Sequence, residues 1–445
     1  MGPTQGHGMQ GHGMQGHGMQ GHGMQGHGKQ GHGKQGHGKQ GHGKQGHGQQ
    51  GLGKQFGRLW AASTLSQFGG GIHGAALPLL AASLTSSPAM VAAAAAAVEL
   101  PWLVFGLPAG AIVDRADPRR LAAWVGLADA VLVAILAAMV ALDRASLLLL
   151  LSIAFACGTC GTLSGTAMAT LTPKLVDQRQ LDRANSRLVT AGSAGSELIG
   201  PPLGGYLFGM AAAIPFAVNA GTAALVAALV LSLPSVFRGA TVESAGRPRE
   251  LWRDLTDGAR WLARHRKLRA VTVLSVVFIL TDSAWFALMV LYVRDILDLP
   301  ASAYGILVGI GAVGGLAGGF SAARISRAVG STGVLLACLL LAAAAAQAAL
   351  GLTSHTVLTV LMLAVSSFAF GVWNVVSTTL RQTLTPSALL GRVTSADRTA
   401  ILSASPLGAL LGGLAADALG LRAPFLLGVP LLVLGAAYGY VALRR

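Results

Sequence analysis

Charge is the first thing this sequence is short of. Only 11% of its 445 residues are Asp, Glu, Lys or Arg, against roughly one quarter in soluble chains. Acidic residues are the scarcest, 17 against 32 basic ones. There are three cysteines, all in apolar surroundings, which excludes a disulfide framework. Cys157-Gly158-Thr159-Cys160 has redox spacing, but it lies inside an apolar run with no soluble redox fold around it and is read as packing. No activated nucleophile, metal cluster or phosphate-cradling loop is present. An enzyme is therefore not expected, and neither is a cofactor or a resident metal.

What the chain has in excess is apolar length. It is 53% hydrophobic overall. The first 55 residues hold only six hydrophobic residues, so the remaining 390 are roughly 59% hydrophobic, more than a soluble globule can cover. Segments able to cross about 30 Å of hydrocarbon fall near 59–83, 89–112, 121–142, 146–171, 186–209, 211–234, 270–293, 302–322, 330–352, 356–379, 400–419 and 421–442. No cleavable signal peptide is expected, because the first apolar segment is too long and a polar tail precedes it.

The net charge of +15 invites a nucleic-acid reading until each charge is placed. Of 32 Lys and Arg, 29 fall on one side of these spans; Arg144, Arg294 and Arg422 fall on the other. That asymmetry is an orientation signal. It predicts a multi-pass protein of the cell membrane with both termini in the cytoplasm, facing anionic lipid there, and no nucleic-acid partner.

The widest gap between spans, residues 236–269, sets Leu251, Leu255, Ala259 and Leu262 at helical spacing among charges. It is expected to form an amphipathic helix on the cytoplasmic membrane surface. It separates six spans (56–235) from six (270–445). Leu171-Thr172-Pro173 recurs as Leu384-Thr385-Pro386, and Arg179 recurs at the same offset as Arg392. Gly110 and Arg115 recur as Gly319 and Arg324, and Gly204-Gly205 recurs as Gly412-Gly413. Three echoes in the same order point to a parallel repeat.

Gly110-Ala111-Ile112-Val113-Asp114-Arg115-Ala116-Asp117-Pro118-Arg119-Arg120 resembles the loop motif of the major facilitator superfamily. The resemblance implies a cytoplasmic gating loop built on Gly110, Asp114, Arg115, Arg119 and Arg120, closed in one transport state and released in the other. Asp117 stands where a Gly is usual, and Ala323 replaces the Asp in the second-half copy. Gly200-Pro201-Pro202-Leu203-Gly204-Gly205 is similar to the superfamily's antiporter motif; its small residues allow close helix packing and Pro201 removes a backbone bond. Glu99-Leu100-Pro101-Trp102, Leu181-Asp182-Arg183-Ala184-Asn185-Ser186 and Leu390-Gly391-Arg392-Val393 look like the enterobactin-exporter and macrolide-efflux branch of the drug and proton antiporters. The fourth-span Arg of those antiporters is missing. The implied fold is all-α: twelve transmembrane helices in two six-helix bundles.

Ionisable groups deep in a bilayer are costly and so mark function. His73, Glu99, Glu197 and Asp282 fall near mid-depth of their spans. All four are candidates for proton or substrate coupling, with Asp282 first, then Glu197, then Glu99. Plain burial with a hydrogen-bond partner is the competing account of His73, Glu99 and Glu197. Asp129, nearer the end of a peripheral span, is read as structural. Trp285, Phe286, Trp373 and Asn374 are candidates for an aromatic, polar-tipped cavity wall.

Residues 1–55 form a Gly/His/Gln-rich tail expected to be disordered, with His at every fifth position followed by Met or Lys. Weak metal buffering is a second reading of it. The expected function is proton-coupled efflux of a small amphiphilic molecule by a monomer, with protons and that molecule as partners. The alternatives are an exporter of a siderophore or other metal chelator and, in a different class, a non-transporting receptor or scaffold.

Overall fold

The computed structural model describes residues 53–233 and 248–443, which are helical almost throughout. Residues 1–52, 234–247 and 444–445 lie outside the described residues, and with them the His pentads, the leading part of the linker and the two terminal arginines. The first half holds α1 (Gly53–Leu84), α2 (Pro88–Arg115), α3 (Pro118–Ala141), α4 (Leu147–Leu175), α5 (Leu181–Ser193), α6 (Gly200–Met210) and α7 (Ile214–Leu231). The linker helix α8 (Pro248–Arg264) follows. The second half holds α9 (Arg266–Phe286), α10 (Met289–Asp295), α11 (Ala301–Val329), α12 (Thr332–Leu352), α13 (Thr356–Leu384), α14 (Ser387–Leu419) and α15 (Ala423–Leu443).

Among the described residues, ten helical segments are long and apolar enough to cross a membrane, α9 and α10 counting as one. Two further rods have the length. One is α1, diluted by Lys54, Arg58, Gln67 and His73. The other runs from α5 through a π-helical turn at Ala194–Ile199 into α6. The connections are short because polar caps end them: Ser87, Asp117, Ser146 and Ser331 each accept a backbone N–H from the first turn of the helix that follows. Asp117 thus has a structural job at the place where the family pattern has Gly. The eleventh rod starts at Ser387, thirteen residues before the expected position 400. Its first turns carry Arg392, Asp397 and Arg398, which hydropathy reads as loop, but packing against α8 and α9 holds them helical.

Packing repeats between the halves. In the first, α1 lies against α6 and α7, α2 against α4, and α3 against α4 and α7. In the second, α9 lies against α14 and α15, α11 against α13, and α12 against α13 and α15. The seams between halves are equivalent as well: α2 meets α14, and α6 meets α11.

The helices alternate in direction, so all the described Lys and Arg residues except Arg144, Arg294 and Arg422 sit at one end, here called the basic end. At the opposite, far end, a single apolar cluster joins both halves, running from Ala75–Ala82 and Val91 through Phe216 to Leu288–Val293 and Phe425. Arg294 Nη1 donates to Ala82 O there, and Ser87 Oγ lies 3.0 Å from the Asp417 carboxylate. At the basic end the clusters each stay within one half or its linker. The expected amphipathic helix is present as α8. Its described apolar side, however, is docked on protein: Leu262 packs with Leu268 and Val393, and Gly258 lies directly on the Arg392 backbone.

Candidate transport cavity

Between the halves lies a cavity of about 760 Å³. Along α1 its lining runs from Leu59 to Pro78, about 28 Å at 1.5 Å per residue. It reaches the basic end, and toward the far end it is lined by Leu77, Ala287, Tyr304 and Ala409, which belong to the apolar cluster that seals that end. Most of its wall comes from the first half, on α1, α2, α3, α4, α5 and α7; the second half adds Ser283, Phe286, Ala287, Tyr304, Ser405 and Ala409.

The mid-depth ionisable groups separate into two sets. His73 and Glu99 line the cavity. The His73 ring meets the edge of Phe216 at 5.6 Å, and its Nδ1 is buried with no hydrogen-bond partner among the described residues. Glu99 is exposed on the wall and touches Ser405 of the second half. Asp282 and Glu197 do not line the cavity. Asp282 is half-buried on α9, one residue before Ser283, which does line it; Glu197 sits exposed in the π-helical turn. Asp129, read from sequence as structural, is instead on the cavity wall beside Cys157. It falls at the middle of α3 and within about three residues of mid-depth in the expected span as well; what the sequence did not show is that α3 presents it to the cavity. Gly158, packed against the Val98 backbone, keeps α4 thin at that level.

The aromatic wall needs correcting. Phe286 lines the cavity, joined by Trp102 from α2. Trp285 is 2% exposed and packs on Phe425 at 5.6 Å. Trp373 is 3% exposed and donates Nε1–H to Ser275 Oγ at 3.1 Å. Asn374 is exposed and lies off the lining. Trp285 and Trp373 hold the second half together and do not face the cavity.

Around the gating loop, Asp117 pairs with Arg120 at 3.8 Å, while Arg119 donates to Leu233 O and Arg58 to Ser232 O at 3.0 Å. Both donors sit on carbonyls at the C-terminus of α7, where cations are favoured. Arg115 is exposed, and the side chain of Asp114 lies outside the described set. Among the described residues nothing stands within 4 Å of where a Gly110 side chain would begin. The antiporter-like segment packs as its small residues suggest. A Cβ on Gly200 would stand 2.7 Å from Gly71 Cα, Gly204 lies against the Ile72 backbone, and a Cβ on Gly205 would stand 3.1 Å from Gly305 N across the seam. Pro201 begins α6 directly after the π-helical turn.

One buried ion pair gave no sequence signal. Asp397, 1% exposed, accepts from Thr272 Oγ1 and pairs with Arg381 Nη2, each at 2.5 Å, tying α9, α13 and α14 together near the basic end. Among the described residues no three His, Cys, Asp or Glu side chains converge as a metal site.

Comparison with known proteins agrees with this architecture. The profile of the family described as "Transmembrane secretion effector" matches residues 52–444. The multidrug efflux pump Tap of Mycolicibacterium fortuitum is 28% identical over 394 residues, covering 85% of this chain and 93% of that one. Among solved structures, a bacterial homolog of the human lysosomal transporter Spinster, inward-facing and occupied, superposes with a TM-score of 0.69 at 13% identity, covering 87% of this chain and 96% of the other. A bacterial homologue of the iron transporter ferroportin gives 0.68 at 18% identity, covering 89% and 100%. The nucleoside transporter NupG gives 0.68 at 15%, covering 88% and 100%. The twelve-rod frame, the paired seams and the cavity between halves are therefore those of a membrane transporter and not of an enzyme, and the chain belongs to the transmembrane secretion effector family of the major facilitator superfamily, in its drug-efflux branch.

Proposed function

We propose that the chain exports a small amphiphilic molecule from the cytoplasm by alternating access, driven by protons returning inward. The observation that carries this reading is the cavity between the halves, closed at the far end and reaching the basic end, with His73, Glu99 and Asp129 on its wall. The 29-to-3 charge split supports a cytoplasmic basic end, and on that reading cargo enters from there in the state described. Glu99 is the coupling group that fits best. It sits where the first-half wall meets Ser405 of the second half, so a change in its charge acts on the seam along which the halves part. Cargo arriving at the wall displaces the Glu99 proton inward. After the halves rock, the far side returns a proton to Glu99 and cargo leaves. The free energy comes from the two states differing in affinity for both ligands. His73, with an unmet Nδ1, and Asp129 are the polar contacts for cargo. The working unit is a monomer in the cell membrane, with anionic lipid around the basic end. Likeness to the efflux pump Tap supports the outward direction.

The test is efflux from a host lacking its own pumps. Cells expressing the full chain should resist part of a toxic-compound panel, and an uncoupler should abolish that resistance. Resistance that persists with the proton gradient collapsed removes proton coupling.

A further inference from the structure

The cavity owes its width to glycines that touch nothing. Gly70 and Gly74 on α1 line it, and so do Gly161 and Gly165 on α4; a Cβ built on any of the four meets no atom within 4 Å. Residues four apart share a helix face, and α1 packs against α4. The result is two adjoining strips of bare backbone facing the cavity. Gly71, on the same helix, instead packs against the Gly195 and Ser196 backbone. These four serve no such contact.

Independent features of the same cavity point to an occupant. His73, between Gly70 and Gly74, lines the cavity with Nδ1 buried and unpartnered. Trp102 and Phe286 put aromatic surface on the wall, from α2 and from the second half respectively. Among the described residues the charged side chains on the lining are Glu99 and Asp129, with no Lys or Arg.

We propose that the two glycine strips are the specificity element of the site: they form a flat-sided slot for a rigid, multi-ring amine. The ring face lies over Gly70, Gly74, Gly161 and Gly165, the ammonium faces the carboxylates, and a polar substituent meets His73. A flat ring system against bare backbone gains contact along its whole face, while a propeller-shaped or tetrahedral cation of equal charge touches each strip at a point. Any side chain added to a strip takes up the volume the ring needs. This inference rests on the cavity being the transport site, as proposed above.

The experiment measures efflux from cells expressing the full chain, using three cations of equal charge: ethidium (flat, three fused rings), tetraphenylphosphonium (propeller-shaped) and benzyltrimethylammonium (one ring). The expected result is export of ethidium and benzyltrimethylammonium and little export of tetraphenylphosphonium. Gly161→Val and Gly74→Val should each lower ethidium efflux about tenfold or more, the scale on which pocket volume discriminates, at matched membrane abundance and with melting temperature kept. Tetraphenylphosphonium exported as fast as ethidium, or ethidium efflux unchanged in both variants, overturns the slot and leaves the transport reading standing. A fall in melting temperature on Gly161→Ala also overturns it, because it would mean that the space beside the strip is filled. Export of none of the three cations contradicts the transport reading itself and the slot with it.

Discussion

In the first half α1 and α4 meet beside open glycines, while their counterparts α9 and α13 meet through aromatic rings. Phe278 of α9 stands edge-on to both Phe370 and Trp373 of α13, at 5.6 and 5.5 Å. Beside them, where α11 meets α13, glycines are closed by packing: Gly314 lies on the Ala364 backbone, Gly318 on that of Phe368, and Gly371 on that of Gly315. The basic ends differ in the same sense. At the offset that maps Leu171-Thr172-Pro173 onto Leu384-Thr385-Pro386, Arg381 corresponds to Met168 and the buried Asp397 to the buried Ala184. Met168 lines the cavity, whereas Arg381 is locked to Asp397. One repeated frame thus carries a hollow half that supplies most of the cavity wall and a solid half packed by aromatic rings and an ion pair. Duplication preserved which helices touch and left free what fills the space between them.

That contrast can be broken in graded steps. The largest effect is expected at the ion pair. Asp397→Ala strands a buried Arg381 and should cost about 3–5 kcal/mol, while Arg381→Met with Asp397→Leu should recover most of it, read as melting temperature of the purified protein in detergent. Next come the closed glycines: Gly318→Ala forces a methyl into the Phe368 backbone and should destabilise by about 1–3 kcal/mol. The same change at open Gly161 should be neutral or stabilising by up to about 1 kcal/mol; equal losses at the two positions would erase the hollow-versus-solid distinction. Trp373→Phe removes the hydrogen bond to Ser275 and should cost about 1 kcal/mol. Smallest is Arg260→Gln, which breaks an exposed pair with Asp257 at 3.2 Å and should shift stability by about 0.5 kcal/mol or less.

Much of the frame was legible in the sequence because apolar length, loop charge and turn residues act locally. The same locality explains what was missed. A helix turns about 100° per residue, so Asp282 and Ser283, or Trp285 and Phe286, are equally deep and face different ways; hydropathy fixes depth and not azimuth. The π-helical turn shifts the register around Glu197, which no periodicity revealed. Asp129 reads from sequence as part of a peripheral span, and only the packing of α3 against α4 and α7 brings it to the cavity wall. Arg381 and Asp397 come from different helices, and nothing in either segment names the other as partner. A count of 61 glycines likewise does not separate those that pack from those that leave space.

The central claim is that coupling sits on the wall of the first-half cavity. The most direct measurement is uncoupler-sensitive efflux from cells expressing Glu99→Gln, with Glu197→Gln alongside at matched membrane abundance. The account predicts that Glu99→Gln loses proton-driven export while Glu197→Gln keeps it. Full uncoupler-sensitive efflux in Glu99→Gln would contradict it.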